Sequence, residues 1–376
     1  MASRNKMVSV NKDRLIYARE YYGLDILDVV EKTKISYDKI QSFENGNDFP
    51  TYAELTKLSD FYRKPLLYFF FVSVPDPHED KMAIAFRGLE QADNKHIGKQ
   101  AREMMEKANI YKLNLEEMYS EEAPCFLDLL KDDNVTEESF SDWLRLKLDV
   151  PIEEQLSSSY RPDTLLERFR DELYKVGIYV FKDSFKDDSV SGLCLFDERF
   201  PVILLNNKMT FPRQLFTLFH EVYHIFINSN DIDFSGYDEE KACNRFASNF
   251  LIPKNTLLKC VKEQKKQKGS LSIPDLATEF CVSIDAMAYR LFLHKAITQS
   301  EYESIHRDSS FIRKGNSSAG GNYYNTKKAY LGEGYIKKVY SDYYSGKIPI
   351  SVVSMYTQMK ASSAKAFALK FFGGDI

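Results

Sequence analysis

The sequence lacks a basic excess, paired cysteines and long apolar runs. Its 376 residues carry a formal net charge of −4. Proteins that coat nucleic acid non-specifically are usually basic, so any DNA contact must be local to one domain. The five cysteines are dispersed and form no CxxC pair, which argues against a disulfide framework and against a cysteine-rich zinc site. This cysteine usage favours a reducing compartment.

Apolar residues never form a run long enough to cross a bilayer. The N-terminus has no apolar signal core, and the most apolar stretch, residues 65–74, is too short to span a membrane. We therefore predict a cytoplasmic protein without membrane contact. We also expect residues 65–74 to be a buried element of a folded domain.

Hydrophobic periodicity predicts an α+β protein that is mostly helical. Three strand-like runs, 178–181, 191–196 and 201–206, lie between helical segments and predict a small three-stranded sheet. Changes in composition divide the chain further. The predicted parts are an N-terminal all-helical domain (1–75), a helical connector (76–160), a central α+β domain (161–306), a Ser/Gly-rich linker (307–322) and a small helical C-terminal domain (323–376).

The clearest chemical signal is the sequence His220-Glu221-Val222-Tyr223-His224, inside an apolar segment that is predicted to be helical. On a helix, His220 and His224 point the same way, so both imidazoles can reach one metal ion. Glu221 lies one position round the helix, where it can take a proton from an attacking water. Two histidines at a helix surface or core edge are the alternative, but polar side chains in so apolar a helix need partners.

A catalytic zinc also needs a third protein ligand and an open position. The candidate lies on the next predicted helix, 239–251. Glu240 and Asn244 share one face of that helix, so Glu240 can bind the ion while Asn244 supports a ligand. Two acidic residues at a helix start also complement the helix dipole, which is the alternative explanation for Glu240. Cys243 is a possible soft ligand, but we predict a packing role for it.

These motifs together resemble the ImmA/IrrE-type metallopeptidase domain. The resemblance rests on the FTLFHEVYH segment, on the E-x-x-x-N-x-F-A segment that starts at Glu240, and on the FLIP sequence that follows. It covers roughly residues 160–305. Cys243 stands where the family often has alanine. The segment 275–291 has its own helix-turn-helix pattern, but we predict that it is a structural part of this domain.

The resemblance implies a gluzincin-like site with one Zn²⁺ per chain. In this sequence the implied ligands are His220, His224 and Glu240. Glu221 is the implied catalytic residue, and Asn244 is the implied supporting residue.

Residues 11–64 resemble the helix-turn-helix of Xre and lambda-repressor type proteins. The matching stretch runs from Ile35 to Pro50 and includes Glu44 before an Asn-Gly pair. The resemblance implies that the helix over 36–44 enters the major groove of DNA. The predicted contacts are to bases from Ser36, Tyr37 and Gln41, and to phosphates from Lys39 and Asn45.

This N-terminal region departs from the helix-turn-helix pattern in three ways. Asp25-Ile26 opens the preceding helix where Gln is common, and Lys34 replaces a frequent turn glycine. Residues 1–70 contain 11 basic and 10 acidic residues, which gives little general attraction to phosphates. A dimerisation or protein-docking module is therefore the alternative.

The predicted function is that of a DNA-binding zinc metalloendopeptidase that regulates gene expression by cleaving a repressor or partner protein. The expected partners are operator DNA, bound by a homodimer, and a repressor or toxin. The segment 321–348 resembles an extension of Xre–ImmA fusions that act in toxin–antitoxin or mobile-element regulation. It favours the alternative, a transcriptional regulator or antitoxin with a structural or switching metal site and no peptidase activity. Glu221 favours the enzyme, because a purely structural site does not need it.

Overall fold

The computed structural model describes residues 7–62, 64–72, 99–119, 123–133, 135–137, 139–157, 160–185, 190–229, 236–311 and 322–373. These residues fall into two compact units that divide between Glu103 and Met104. Helices predominate, and a three-stranded sheet lies in the second unit. The mostly helical α+β class is confirmed. Parts of the predicted connector and linker lie outside the described residues, and the predicted domain boundaries stay predictions.

The first unit is helical. Its elements are α1 (Lys12–Tyr21), α2 (Ile26–Thr33), α3 (Tyr37–Asn45), α4 (Tyr52–Tyr62) and a short 3-10 helix (Leu66–Phe70). Local signals set their limits: the Asn11 side chain caps α1, and Asp25 and Asp28 form a capping box at the start of α2. Gly46, with φ of +76°, ends α3 in the left-handed conformation that glycine adopts most readily.

The apolar stretch 65–74 is not the buried element that its composition predicts. Among its described residues, Phe69 is fully buried, but Leu67, Phe71 and Val72 are 71%, 56% and 93% exposed. A short 3-10 helix buries only one of its faces, so a run of consecutive apolar residues must expose the others. The prediction was wrong because the run has no periodicity that matches one buried face.

The second unit builds a small sheet among many helices. The helices before the sheet are α5 (Lys99–Met118, which begins in the first unit), α6 (Phe126–Asp132), α7 (Phe140–Lys147), α8 (Ile152–Gln155) and α9 (Pro162–Lys175). The strands are β1 (Tyr179–Asp183), β2 (Gly192–Leu195) and β3 (Val202–Asn206). The helices after the sheet are α10 (Phe211–Ser229), α11 (Gly236–Leu251), α12 (Lys254–Lys268), α13 (Ile273–Glu279), α14 (Ile284–Leu293), α15 (Gln299–Phe311), α16 (Tyr323–Leu331), α17 (Glu333–Tyr344), α18 (Ile350–Thr357) and α19 (Ala361–Phe372). None of the described helices combines the length and the apolar character that a membrane span requires.

The sheet has the order β1-β3-β2. Strand β3 pairs in parallel with β1, where Tyr179 faces Val202, and antiparallel with β2, where Cys194 faces Ile203. Every residue of β3 is buried, as expected for a central strand covered on both faces. The three predicted strands are confirmed, with ends shifted by at most two residues. Helix α10 packs on β2 and β3, which sets it against the sheet.

Stacked aromatic rings hold α10 against its neighbours. The ring centroids of Phe140 and Phe226 are 3.9 Å apart, and those of Tyr223 and Phe246 are 4.6 Å apart. Such pairs add to the free energy gained by burying their surface. Helices α13 and α14 place Leu276 and other apolar residues in the same core, which agrees with the structural role predicted for 275–291.

Candidate metal centre

Helices α10 and α11 bring two imidazoles and several acidic or thiol side chains together. His220 and His224 lie one turn apart on α10, and their Nε2 atoms are 3.1 Å from each other. His224 is buried, with 1% of its surface exposed, and His220 is partly buried. The predicted convergence of the two imidazoles is therefore present in the folded chain.

Hydrogen bonds at the other ring nitrogens orient both imidazoles. His224 Nδ1 lies 2.9 Å from Glu239 Oε1, and His220 Nδ1 lies 3.1 Å from Asn244 Oδ1. Both partners are acceptors, so each Nδ1 donates its hydrogen and each neutral ring presents a lone pair at Nε2. In the metal-free chain a proton on one Nε2 can link the two nitrogens at this distance, and a metal ion that replaces this proton would be bound by both. The arrangement suits a metal ion.

Glu240 completes this arrangement from α11. Its Oε2 is 3.4 Å from His220 Nε2, and its Oε1 is 3.4 Å from His224 Nε2. Zinc–nitrogen and zinc–oxygen bonds of about 2 Å in a tetrahedral site separate ligand atoms by roughly 3.3 Å. The spacing therefore fits a zinc ion, although the role of Glu240 as a ligand stays a prediction.

The structure also brings Cys243 to this centre. Ligand atoms of His220, His224 and Cys243 all lie within 4.8 Å of one another, and Cys243 is fully buried. Cys243 follows Glu240 by three positions on α11, so both side chains face α10. The sequence favoured a packing role for Cys243, because the sequence does not show where the neighbouring helix lies.

Glu221 is buried beside the same centre. It is 4% exposed, and its Oε2 has no hydrogen-bond partner among the described residues. A buried carboxylate oxygen without a partner is costly, so such groups are typical of sites with a chemical role. Burial, together with the charge of Glu221, raises the pKa of the Cys194 thiol on β2, which agrees with a position of the carboxylate near this strand.

The charges of the centre follow from its burial and its hydrogen bonds. Burial lowers the pKa of His220. Burial opposes the charge of His224 as well, but hydrogen bonds with Cys243, Glu239 and Glu240 raise its pKa. Burial also works against the charge of Glu240, yet its bond with His224 and the two nearby imidazoles lower its pKa. The metal-free centre therefore favours one positive charge, at His224, where a metal ion would compete with the proton.

Glu239 is a functional candidate that the sequence analysis missed. It was grouped with Glu240 as a helix-start acid, yet it is 4% exposed and bound to His224. A signal was available, since Glu239, Cys243 and Phe246 recur at the helical spacing of one buried face. Glu240, one position round, is only half-buried and faces the imidazoles from the rim.

The C-terminal end of α11 is anchored by side chains from three other elements. Arg145 donates to the carbonyl of Phe250 at 2.7 Å and lies over its ring at 4.3 Å. Gln155 donates to the carbonyl of Leu251 at 3.0 Å, and Arg290 to that of Ile252 at 2.7 Å. The last carbonyls of a helix have no partner within it. These contacts fix the helix that carries Glu239, Glu240 and Cys243.

The five predicted DNA-contacting residues lie at the surface of the first unit. Ser36, Tyr37, Lys39, Gln41 and Asn45 are all exposed, at the start of α3 or along it. Three residues join α2 and α3, and Lys34 adopts a left-handed φ of +58° there. The Lys39 ammonium lies 2.6 Å from a Glu54 carboxylate oxygen, so its positive charge is partly offset. Contacts of these residues with DNA stay predictions.

A comparison with known families bears on the second unit. Residues 174–292 match the sequence model of the IrrE N-terminal-like domain, peptidase family M78. This region is similar to a metallopeptidase-type domain. It contains the sheet, both imidazoles and α11, and it lies within the central domain predicted from the sequence. No curated protein and no solved structure matches the chain.

Proposed function

We propose that this protein is a zinc metalloendopeptidase that regulates gene expression by cleaving a repressor or another partner protein. The observation that carries the proposal is the pair of Nε2 atoms 3.1 Å apart, with their lone pairs converging and a Glu240 oxygen facing each. His220, His224 and Glu240 would hold the zinc ion. When bound, zinc supplies Lewis acidity that polarises a peptide carbonyl and makes water more acidic.

The surrounding side chains divide the remaining work. Glu221 accepts the proton of the attacking water at its unpartnered Oε2 and passes it to the leaving amine. Glu239 and Asn244 hold both rings in the tautomer that points Nε2 to the centre. The apolar core behind α10 keeps bulk water away from the buried side of the site.

The regulatory part of this proposal concerns DNA binding by the first unit. The exposed residues of α3 would read bases in operator DNA with Tyr37 and Gln41, with the protein bound as a homodimer. In favour are a short helix pair joined by three residues and the exposure of every predicted contact. The alternative function is that of a regulator or antitoxin whose metal site is structural, and the buried acid Glu221 argues against it.

The substitution Glu221→Gln tests the enzyme against this alternative. Glutamine keeps the size of the side chain but cannot act as a base, so hydrolysis should fall about 10²–10⁴-fold. Zinc content should stay at the parent level, because all ligands remain. The assay follows cleavage of the protein encoded beside this gene, with parent, Glu221→Gln and His224→Ala in parallel. Full activity of Glu221→Gln would point to the structural site. A regulatory function that is lost only in His224→Ala, with no cleavage by any of the proteins, would point to it as well.

A gel shift with the full chain tests the DNA-binding part. The near-neutral charge of the first unit predicts weak non-specific binding, so selectivity must come from a few base contacts. Replacing Tyr37 and Gln41 by alanine should reduce the free energy of binding to its own promoter by about 1–3 kcal/mol for each base that is no longer read. Equal shifts of promoter and unrelated DNA, or none at low salt, would favour a docking module.

A further inference from the structure

Two side chains of α11, and not one, reach the pair of imidazoles. Glu240 approaches from the half-exposed rim, with one oxygen 3.4 Å from each Nε2. Cys243 approaches from the buried side, one helical turn further along. Glu240 and Cys243 therefore approach the pair of imidazoles from different sides, one half-exposed and one buried.

The thiol of Cys243 is close enough to act as a ligand without a rearrangement of the helices. Its sulfur and the two imidazole ligand atoms lie within 4.8 Å of one another. Bonds of about 2.3 Å to sulfur and 2.0 Å to nitrogen separate the ligand atoms by roughly 3.5 Å in a tetrahedral zinc site. A small side-chain adjustment brings the thiol to that distance. Packing explains why Cys243 is buried, but it does not require a sulfur beside two converging imidazoles.

A divalent ion would stabilise the thiolate form of this buried cysteine. The two charges of the ion offset those of its two anionic ligands, one carboxylate and one thiolate, beside two neutral imidazoles. Zinc accepts imidazole, carboxylate and thiolate ligands alike. The thiol proton leaves to solvent when the sulfur binds the ion.

We infer that Cys243 is a metal ligand, so that four side chains of this chain, His220, His224, Glu240 and Cys243, hold the ion. This inference rests on the proposed metal site. Zinc sites with four protein ligands are closed, whereas catalytic sites keep one position open. Hydrolysis in this protein then requires one protein ligand to withdraw, and the resting enzyme is latent.

Cobalt substitution tests the inference in the full-length protein. Co²⁺ in a four-coordinate site gives visible d–d bands whatever the donor atoms are, and a thiolate ligand adds a sulfur-to-cobalt charge-transfer band in the near ultraviolet. The metal-free protein is titrated with CoCl₂ as parent, Cys243→Ala and Cys194→Ser. Cys194 is the matched control, because it is also buried and lies beside Glu221 but is not among the residues that face both imidazoles.

We expect visible bands in all three proteins, and the near-ultraviolet band in parent and Cys194→Ser only. Zinc affinity of Cys243→Ala should fall at least about tenfold, the loss that even an outer partner of a ligand causes. Zinc X-ray absorption of the parent should show one sulfur at about 2.3 Å, and this measurement needs no variant that could misfold.

Each other outcome overturns the inference in a distinct way. Visible bands without the near-ultraviolet band in the parent, or a band that survives in Cys243→Ala, would return Cys243 to a packing role. A band lost only in Cys194→Ser would make Cys194 the ligand. No visible bands in the parent would overturn the proposed metal site itself, and with it the inference.

Discussion

The metal centre and the surface of α3 are two candidate sites of opposite character. At the metal centre, side chains hold one another: the buried Glu239 orients the buried His224, and the exposed Asn244 orients the partly buried His220. On α3, the five predicted contacts are exposed, and the side chain of Lys39 reaches Glu54. Polar side chains that are taken out of water mostly pair with one another, so the geometry of a buried site reveals much of its chemistry even without a ligand. An exposed surface acquires its geometry only with its partner.

The largest expected loss of stability comes from removing the side chain that anchors the helix of the metal centre. Arg145→Met removes the hydrogen bonds to Gln155 and to the carbonyl of Phe250. Leaving such groups unpaired should lower the free energy of unfolding of the second unit by about 3 kcal/mol. Trp143, the single tryptophan of the chain, lies two positions before Arg145 and reports unfolding by fluorescence.

Arg161→Met is the matched control for this substitution. The Arg161 side chain is 75% exposed and pairs with Asp163 at 2.8 Å, and an exposed ion pair contributes little to stability. Equal unfolding midpoints for the two variants would mean that Arg145 does not anchor α11.

The second prediction concerns the hydrogen-bond acceptor that orients the His224 imidazole. Glu239→Ala should weaken zinc binding about 10–100-fold, because His224 loses the acceptor that fixes its tautomer. Competition with a chromophoric chelator measures the affinity. Asp238→Ala controls for helix-dipole effects, since Asp238 also lies in the first turn of α11 but its side chain is 64% exposed. Equal losses in both variants would reduce Glu239 to a helix-start acid.

The fold was largely predictable from the sequence because its signals are local. The apolar runs 178–181, 191–196 and 201–206 and the apolar segment around His220 are local signals for strands and a helix, and these elements were confirmed. The burial predicted for the apolar stretch 65–74 was wrong, because hydrophobicity without periodicity does not indicate which face of an element is buried. The i, i+4 spacing of His220 and His224 predicted their convergence, which needs only one helix.

The features that could not be predicted from the sequence depend on how two elements pack against each other. Whether Glu239, Glu240 or Cys243 approaches the imidazoles depends on how α11 is rotated against α10, and that rotation is set by stacked rings such as Tyr223 and Phe246. The anchoring role of Arg145 depends on a contact across 105 positions of sequence. Neither relation has a local signature in the chain.

The smallest expected change is in the stability of the first unit, at the connection between α2 and α3. Lys34 holds a φ of +58°, so Lys34→Gly should stabilise this unit by about 0.5–1 kcal/mol. Gly46→Ala, at φ of +76°, should destabilise it by a similar amount. Hydrogen exchange of the α2 and α3 amides, followed by mass spectrometry, measures both. Effects of the same sign would contradict the assigned backbone conformations.

The zinc content of the purified chain tests the proposed metal centre directly. After mild chelation and reloading, elemental analysis should find one zinc per chain, and almost none in the double variant His220→Ala, His224→Ala with its helical circular dichroism retained. The converging Nε2 atoms, 3.1 Å apart, are the reason for this expectation. Full retention of zinc in the folded double variant would contradict the account, because the ion would then be bound elsewhere.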